Sequence, residues 1–290
     1  MRDKYQKIFD SHFHIGTWGE RPWGDPPRSI RPIGPEQDHH GPAECSRYLD
    51  RNGFDGGLVI PSYLPDPTVA FEKFNPLVRA AVEADPRLLG ALWLSPEPVV
   101  FHLTKDVLQS EQHINIVAGK MSASTWGGAT VDPATWSAEI KRNMEFILKT
   151  CAERGWVVHL HTGSGPADPA LFDSFMAVCG KWAVYQLVHM GESLHQAFKF
   201  VPRFREWIEN GYDVYCDTSL VPGFAPRWLV ELMEDFPAGH DRILFATDAP
   251  WGLAEAELVK ITGSDIPSAI VQNILWNNAQ RLYRLAERIL

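Results

Sequence analysis

Short apolar runs alternate with longer amphipathic segments along the whole chain, and this alternation restricts the fold more than any other feature. Several runs are apolar almost throughout, which is typical of parallel strands buried on both faces. The runs that predict strands are residues 8–12, 56–60, 89–94, 114–121, 156–161, 183–189, 213–217 and 242–247. The helical patterns cover residues 42–52, 69–84, 99–112, 133–154, 169–179, 193–210, 226–236 and 267–290.

Eight strands that alternate with eight helices favour a closed parallel (β/α)8 barrel, also called a TIM barrel. A doubly wound open sheet is the alternative, and a Gly-rich phosphate loop after the first strand would favour it. Here the first strand ends in histidines instead. The length of 290 residues suits one barrel, which typically takes about 250. We therefore predict a single α/β domain over residues 1–290.

One segment is too long for a minimal barrel. Residues 15–41 follow the first strand and are rich in Trp, Pro, Gly and Arg. A connection of this length in a compact domain usually has a function. The loops after barrel strands lie at the carboxyl ends of the strands, where barrel enzymes have their active sites. We predict that residues 15–41 form a long loop between the first strand and the first helix, as a lid or pocket wall.

Charge and composition limit the partners. The formal net charge is -9 and no basic cluster is present, which disfavours nucleic acid. No apolar run approaches the roughly 20 residues of a membrane span, and no secretory h-region follows the first residues. The four cysteines lack CxxC spacing. We expect a cytoplasmic protein that acts on a small molecule, away from membranes, and a homodimer is compatible with the sequence.

The end of the first predicted strand carries two histidines two residues apart. Side chains alternate along a strand, so Asp10, His12 and His14 are expected on one face, with Ser11 and Phe13 on the other. Two imidazoles that leave one strand on one face can chelate one divalent metal. The simpler interpretation of such a pair by itself is two polar residues at a strand end.

Further metal-binding residue types occur at the ends of other predicted strands. His161 ends the fifth strand, His189 ends the sixth and Asp248 follows the eighth. The carboxyl ends of barrel strands converge, so these side chains are expected to meet in one small volume. This recurrence favours a metal site. His159 is expected one layer lower, as a hydrogen-bonded core histidine.

These motifs resemble the amidohydrolase superfamily over nearly the whole chain. The resemblance lies in FDSHFH at strand one, LHTG at strand five, VHMGE at strand six, DTS at strand seven and FATDAPWG at strand eight, with WNNAQRLYRL similar to the closing helix. The most similar branch includes aminocarboxymuconate-semialdehyde decarboxylase, resorcylate-type decarboxylases and several lactone or carbon–carbon hydrolases. The motifs identify the superfamily and not one reaction.

The resemblance implies a role for each matching residue. His12, His14, His161 and Asp248 match the metal ligands, and His189 matches a histidine that contacts metal-bound water. Asp248 and His189 would be the catalytic residues. A divalent ion lowers the pKa of bound water, which a carboxylate can then deprotonate. The cofactor implied is one divalent metal ion, with zinc expected first and manganese or iron as alternatives.

Three further charged residues end or follow predicted strands: Lys120, Asp217 and Glu192. Lys120 ends the fourth strand, where binuclear superfamily members carry a bridging carboxylated lysine, but Met121 follows in place of the family's usual pattern. Its alternatives are a substrate or water contact, a structural or solvent-reaching side chain, and a bridge. Asp217 is interpreted as shaping its loop, with positioning or substrate contact as the alternative. Glu192 is expected to begin the next helix, where negative charge is favoured.

Aromatic and basic residues are placed where they can line the mouth of the barrel. Small-molecule pockets are mostly apolar and aromatic with a few polar anchors. The candidate substrate contacts are Trp18, Arg21, Lys120, Trp126 and Trp251, and further candidates of the same kinds are Trp23, Arg28, Arg31, Tyr63 and Phe224. An arginine of the long loop can hold a substrate carboxylate through two hydrogen bonds. This set favours a planar or carboxylate-bearing substrate.

The reaction that the sequence favours is metal-dependent hydrolysis. A metal-bound water would attack a carbonyl-type carbon while Asp248 takes its proton. The alternative is non-oxidative decarboxylation of an aromatic or unsaturated acid. The intact histidine pair favours hydrolysis, since several decarboxylases of the branch have a carboxylate in place of the first histidine. A metal-free lactonase and a barrel that binds without catalysis are further alternatives.

We expect the purified protein to contain about one equivalent of a divalent transition metal, because His12, His14, His161 and Asp248 form one mononuclear ligand set. His161→Ala should lose this metal. Elemental analysis of both proteins is the measurement. Two equivalents would support a bridging Lys120, and no metal after reconstitution would contradict the metal site.

Overall fold

A barrel of parallel strands forms the centre of the computed structural model, which describes residues 7–17, 39–62 and 67–288. In these ranges the parallel strands pair in chain order. They are β1 (Phe9–Thr17), β3 (Gly56–Pro61), β4 (Leu88–Trp93), β5 (Ile116–Met121), β6 (Val157–His161), β7 (Val184–Val188), β8 (Val214–Asp217) and β9 (Ile243–Leu244). The short β2 (His39–His40) pairs antiparallel with the end of β1. The predicted (β/α)8 architecture is confirmed.

Backbone hydrogen bonds between the first and last barrel strands close the sheet. Ser11 N donates to Phe245 O (3.0 Å), Asp248 N to His12 O (2.8 Å) and His14 N to Ala249 O (2.8 Å). An open doubly wound sheet would leave these groups without each other as partners, so the alternative fold is wrong. The closure also places Asp248 directly beside the two histidines of β1.

Helices surround the barrel between successive strands. They are α1 (Pro42–Asn52), α2 (Pro67–Val69), α3 (Asn75–Ala84), α4 (Phe101–Ser110), α5 (Ala138–Glu153), α6 (Phe172–Cys179), α7 (Leu194–Glu209), α8 (Ala225–Leu232), α9 (Ala254–Thr262), α10 (Ser268–Gln272) and α11 (Asn278–Tyr283). π-helical turns at Ala70–Phe74 and Asn273–Asn277 join α2 to α3 and α10 to α11. Within the described ranges, no helix has the length and apolar character needed to cross a membrane.

Several element boundaries differ from the prediction. The helix expected to open at Pro133 begins later, because Ser137 accepts from Ile140 N as the N-cap of α5, while Asp132 caps only a 3-10 turn. The predicted helix 267–290 is interrupted by the second π-helical turn. The first strand continues past His12, since Gly16 and Thr17 pair with β2.

A β-bulge in β1 changes the expected alternation of side chains. The register against β3 shifts between Asp10 and Phe13. Both of these residues contact Tyr48 of α1: its hydroxyl donates to Asp10 Oδ2 (2.7 Å), and its ring stacks on Phe13 at 4.9 Å. The prediction that Asp10 shares a face with His12 is therefore wrong. The extra residue of the bulge sends Asp10 toward the helix layer and leaves the histidines at the carboxyl end of the barrel.

The core divides into two layers that leave the carboxyl end of the barrel free for polar residues. One large cluster packs the helices against the outside of the strands. A second, smaller cluster includes Phe9, Leu58, Leu89, Val117 and Leu244, and α11 and the residues around it pack against it. It therefore closes the amino-terminal end of the barrel with apolar side chains. Chemistry is confined to the opposite end.

We expect Tyr48→Phe to lower the free energy of unfolding by about 1–3 kcal/mol, because it leaves buried Asp10 with one fewer donor. The Tyr48 hydroxyl also lies 2.7 Å from Thr247 Oγ1, so the loss affects both strands at the closure. Urea unfolding is the measurement. Tyr212→Phe, at a partly exposed position, is the matched control and should change stability by less than about 0.5 kcal/mol.

Candidate metal centre and active site

A cavity of about 310 Å³ lies at the carboxyl ends of the barrel strands. Its walls combine imidazole, carboxyl and ammonium groups with aromatic and aliphatic surface. The lining residues are His14, Trp93, Lys120, Ser122, Ser124, His161, His189, Glu192, Leu220, Asp248 and Trp251. Side chains from widely separated parts of the sequence meet here because parallel barrel strands all end on one side.

Three acceptor atoms converge at the base of this cavity. His12 Nε2 lies 3.2 Å from His14 Nε2, and Asp248 Oδ1 lies 2.9 Å from the first nitrogen and 2.8 Å from the second. All three side chains are buried. Two imidazole nitrogens and a carboxylate oxygen at these separations surround one point, as ligands of a single ion do.

The second nitrogen of each imidazole sets the tautomer. His12 Nδ1 lies 3.3 Å from Asp217 Oδ2, and His14 Nδ1 lies 3.0 Å from Pro61 O. A carboxylate and a carbonyl only accept, so both rings donate from Nδ1. In the neutral rings Nε2 then carries a lone pair directed at Asp248. A cation at this point would reconcile the three, and nitrogen and carboxylate donors suit a divalent transition metal.

His189 also presents a nitrogen to this centre. Its Nδ1 lies 2.9 Å from Ser219 Oγ, and that hydroxyl donates a hydrogen bond to Asp217 Oδ1 at 2.6 Å. His189 must therefore donate from Nδ1, which leaves a lone pair on Nε2, 4.0 Å from Asp248 Oδ1. This nitrogen lies farther from Asp248 than those of His12 and His14. The position suits the predicted contact with a metal-bound water, which stays a prediction.

His161 reaches the same cavity from the end of β6. Its ring packs edge-on against His189 at a centroid distance of 5.2 Å, and the His189 ring lies 4.9 Å from that of His12. Burial holds the pKa of His161 well below its usual range, so the ring is neutral and can act as a ligand. The structure brings His161 to the cavity wall, and its metal-binding role stays a prediction.

Charge in the cavity is unevenly distributed between Asp248 and the histidines. Burial would raise the pKa of Asp248, but His189, His12 and His14 together hold it well below its usual range. Burial lowers the pKa of His189 to about 4, although the charge of Asp248 opposes that shift. Near neutral pH Asp248 is ionised and His189 is neutral, which is the protonation state that binds a metal.

Asp217 accepts several hydrogen bonds beside the proposed metal site. Its carboxylate accepts from His12 Nδ1, Gln186 Nε2 (3.0 Å), His189 N (3.1 Å) and both the backbone N–H and hydroxyl of Ser219 (3.2 and 2.6 Å). The interpretation that Asp217 only shapes its loop is therefore incomplete, since it orients two histidines as well. Its place at the end of the seventh barrel strand was the available sequence signal.

His159 lies one layer below the cavity, as expected, but it is not hydrogen-bonded. It is fully buried, and neither ring nitrogen has a partner among the described residues. Its ring packs edge-on against His12 at 4.8 Å. Burial holds its pKa well below the usual range, so the ring is neutral. The expectation of a hydrogen-bonded core histidine is wrong: polar side chains lie near His159, but none of the described ones hydrogen-bonds its ring nitrogens.

Lys120 points neither to solvent nor to a carboxylate partner. It is 3% exposed and lines the cavity, and no side chain in the described ranges hydrogen-bonds or ion-pairs with its ammonium group. Burial lowers its pKa to about 8, although the charges of Asp248 and Asp217 oppose that shift. The solvent-reaching alternative is wrong. Lys120 is predominantly a cation near neutral pH and faces the space that a ligand would occupy.

Glu192 differs most from its predicted place. Four consecutive residues, His189, Met190, Gly191 and Glu192, have φ values of 68°, 43°, 91° and 72°. This left-handed run, costly for residues other than glycine, turns the chain so that Glu192 lines the cavity. Ser193 caps α7, so Glu192 does not begin that helix. Burial and the nearby charge of Asp248 raise its pKa.

The predicted aromatic and arginine substrate contacts fall into three groups: some line the cavity, some lie elsewhere in the structure, and some are outside the described residues. Trp251 lines the cavity and is 41% exposed. Trp126 is fully buried and packs edge-on against Trp136 at 6.3 Å, so the structure places it in the core instead. Phe224 packs against Phe198 on the outer surface. The candidates outside the described residues are Trp18, Arg21, Trp23, Arg28, Arg31 and Tyr63, together with most of the loop 15–41.

The remaining cavity walls come from residues that no sequence motif marks. Trp93 at the end of β4 and Leu220 after β8 supply apolar surface, and Ser122 and Ser124 supply hydroxyls. Each follows or ends a barrel strand, which was the only signal that could have found them.

A sequence model of the family described as amidohydrolase matches residues 10–285. A search of curated protein sequences finds no match. Solved structures with the same fold include 2,6-dihydroxybenzoate decarboxylase from Rhizobium, with 16% identity, a TM-score of 0.64 and coverage of 97% of this chain and 99% of that chain.

Two further structures are similar to the same degree. Dihydroxybenzoic acid decarboxylase from Polaromonas, with bound manganese and the inhibitor 2-nitroresorcinol, is 17% identical with a TM-score of 0.59, covering 97% and 98% of the two chains. A probable 2-pyrone-4,6-dicarboxylic acid hydrolase from Acinetobacter baumannii, with bound citric acid, is 14% identical with a TM-score of 0.62, covering 96% and 100%. At these identities the likeness shows the fold.

We expect Asp217→Asn to weaken metal binding by about 10–100-fold, because the amide cannot accept from His12 and His189 together as the carboxylate does. Competition with a chelator of known affinity measures the change. Asp213→Asn, an exposed position four residues earlier, is the matched control and should bind metal as the unaltered protein does. Equal affinities in the two variants would contradict the positioning role of Asp217.

Proposed function

The chain belongs to the amidohydrolase family, and we propose that it is a metal-dependent enzyme that decarboxylates a small aromatic or unsaturated acid without an oxidant. Its partner would be this small-molecule substrate, and one (β/α)8 domain would carry the whole reaction. A cavity of about 310 Å³ with both aromatic and charged walls suits a ligand of one ring.

One observation carries the proposal: two carboxyl groups line this cavity with pKa values shifted in opposite directions. Histidines hold the pKa of Asp248 well below its usual range, whereas burial raises that of Glu192. Opposite shifts of this kind separate a group that stays ionised from one that binds a proton more readily. Decarboxylation requires both, because the carbon that loses carbon dioxide must receive a proton in its place.

The residues that would hold the metal are His12, His14, His161 and Asp248. When bound there, a divalent ion supplies a positive charge that holds substrate oxygens and stabilises negative charge that develops on them. The chain's own residues supply the rest. Asp217 keeps His12 and His189 in the tautomer that directs Nε2 into the cavity. The apolar surfaces of Trp93, Leu220 and Trp251 position a planar ligand and exclude water.

The proposed decarboxylation needs a proton donor, and Glu192 would fill this role. When the bond to the carboxylate carbon breaks, its electron pair stays on the ring or vinyl carbon and carbon dioxide leaves. That carbon takes the proton of the Glu192 carboxylic acid, and the resulting carboxylate regains a proton from water. No oxidant or reductant is consumed. His189, whose Nε2 lies 4.0 Å from Asp248 Oδ1, can hydrogen-bond the substrate beside the metal ligands.

The similar structures support decarboxylation and a particular metal. The Rhizobium and Polaromonas proteins are decarboxylases of dihydroxybenzoic acids, and the Polaromonas protein contains manganese. The donor set of two or three imidazoles and one carboxylate accepts zinc, manganese or iron. We propose manganese as the ion to be tried first, with zinc second.

Hydrolysis is the second candidate, and the geometry around Asp248 favours it. An ionised carboxylate next to a neutral imidazole, at 4.0 Å, is an arrangement that can take a proton from water. The Acinetobacter protein is a probable hydrolase of a pyrone dicarboxylic acid. A lactone or ester would then be attacked at its carbonyl carbon.

We expect the manganese-loaded protein to release carbon dioxide from at least one member of a panel of hydroxybenzoates and unsaturated acids. Asp248→Asn should lower kcat by about 100-fold or more, because it removes a metal ligand and the ionised group. Coupled carbon dioxide detection is the measurement, and Asp241→Asn, half-exposed near the start of β9, is the control.

The alternative is tested with the same protein. Acid release from a panel of lactones and esters, without carbon dioxide release from any carboxylic acid, would contradict the decarboxylase and support the hydrolase. Activity that survives complete removal of metal would contradict both.

A further inference from the structure

A polar patch on the cavity wall at the end of β5 plays no part in holding the metal or moving the proton. It consists of Lys120, Ser122 and Ser124. We propose that these three residues form an anion-binding subsite that holds a second acidic oxygen group of the substrate, so that the enzyme acts on planar diacids. The inference deepens the proposed function and rests on it for the identification of the cavity as the substrate site.

The strongest support is the position of the Lys120 ammonium group. The side chain is 3% exposed, and an ammonium group withdrawn from water is costly unless an anion compensates it. The carboxylates that act on it through space are Asp248 and Asp217. Asp248 Oδ1 already faces the Nε2 atoms of His12 and His14, at 2.9 and 2.8 Å, where the metal would lie. The three donors of Lys120 are therefore available to a ligand anion.

Asp217 is no better placed to neutralise the lysine. Its carboxylate is already occupied by His12, Gln186, Ser219 and the backbone of His189. A divalent ion among the histidines would offset the charge of Asp248 as well. The lysine then remains as a buried cation whose compensating charge comes from whatever enters the cavity.

The two serines add hydroxyl donors to the same patch. Ser122 Oγ and Ser124 Oγ lie 2.6 Å apart and share one hydrogen bond. Two hydroxyls have two protons and this bond uses one, so one O–H remains to donate to a ligand. Ser122 is buried and Ser124 is exposed at the cavity mouth. An ammonium group with a neighbouring hydroxyl donor is suited to a carboxylate.

Barrel topology places this patch opposite Asp248, whereas His161 ends β6, the strand that pairs with β5. Along the closed sheet, β5 is the fourth barrel strand and β9 is the eighth, so Lys120 and Asp248 come from opposite sides. Trp93, Leu220 and Trp251 supply apolar surface to the same cavity. A flat ring with an acidic oxygen group at each of two positions matches this distribution of two charged regions and an apolar wall.

Binding of inert probes tests the subsite without turnover. The affinities of benzoate, phthalate, isophthalate and terephthalate for the manganese-loaded protein are measured by calorimetry. We expect at least one dicarboxylate to bind about tenfold or more tighter than benzoate, which is the effect of a charge-assisted hydrogen bond. The three isomers report the separation of the two anion sites. No gain for any of them would overturn the proposal.

Substitutions test whether Lys120 and Ser124 cause the tighter binding of the dicarboxylate relative to benzoate. In Lys120→Met the best dicarboxylate should bind within about threefold of benzoate, while benzoate itself changes little. Ser124→Ala is a second variant, and it preserves the core because Ser124 is exposed. It should reduce the preference for the dicarboxylate over benzoate by about threefold or more. Lys181→Met, exposed at the opposite end of the barrel, is the control and should retain the full gain. A gain that survives in Lys120→Met would overturn the proposal.

The outcomes separate this inference from the proposed function. A dicarboxylate gain that depends on Lys120, together with no carbon dioxide release from any acid, would support the subsite and contradict the decarboxylase. Carbon dioxide release from monoacids alone, without tighter binding of any dicarboxylate, would support the decarboxylase and contradict the subsite.

Discussion

The convergence of His12 Nε2, His14 Nε2 and Asp248 Oδ1 is the constraint on which the rest of the site depends. Three acceptors within 3.2 Å of one another repel unless a cation lies among them. The surrounding residues hold this arrangement, because Asp217 and Pro61 O accept hydrogen bonds from Nδ1 of His12 and His14. The proposed metal affinity would draw on the stability forgone in this arrangement.

The electrostatics of the cavity follow from the same arrangement. The histidines keep Asp248 ionised, and the charge of Asp248 in turn raises the pKa of Glu192 and partly compensates Lys120. One buried carboxylate thus influences the pKa of a second carboxyl group and of an ammonium group. These groups come from different strand ends, so a single substitution at the centre changes the protonation of the whole wall.

Much of the fold and part of the site could be predicted because both follow from short-range patterns. Apolar runs of strand length predicted the eight barrel strands, and all of their carboxyl ends lie at one side of such a barrel. His14, His161, His189 and Asp248 were therefore expected in one cavity, and the structure places them there. Asp10 and Glu192 were misplaced, since a bulge and a left-handed turn break the regular alternation that the argument assumed.

The barrel and the kinds of groups at its carboxyl end follow from the amino-acid sequence alone, because strand periodicity and the direction of parallel strands need no long-range information. Which partners those groups have depends on tertiary contacts. The bonds that orient them join residues far apart in the chain: His12 to Asp217 across 205 positions and Asp10 to Thr247 across 237. Whether Lys120 meets solvent or a cavity, and whether Trp126 lines a wall or the core, depends on such contacts, which no local pattern encodes.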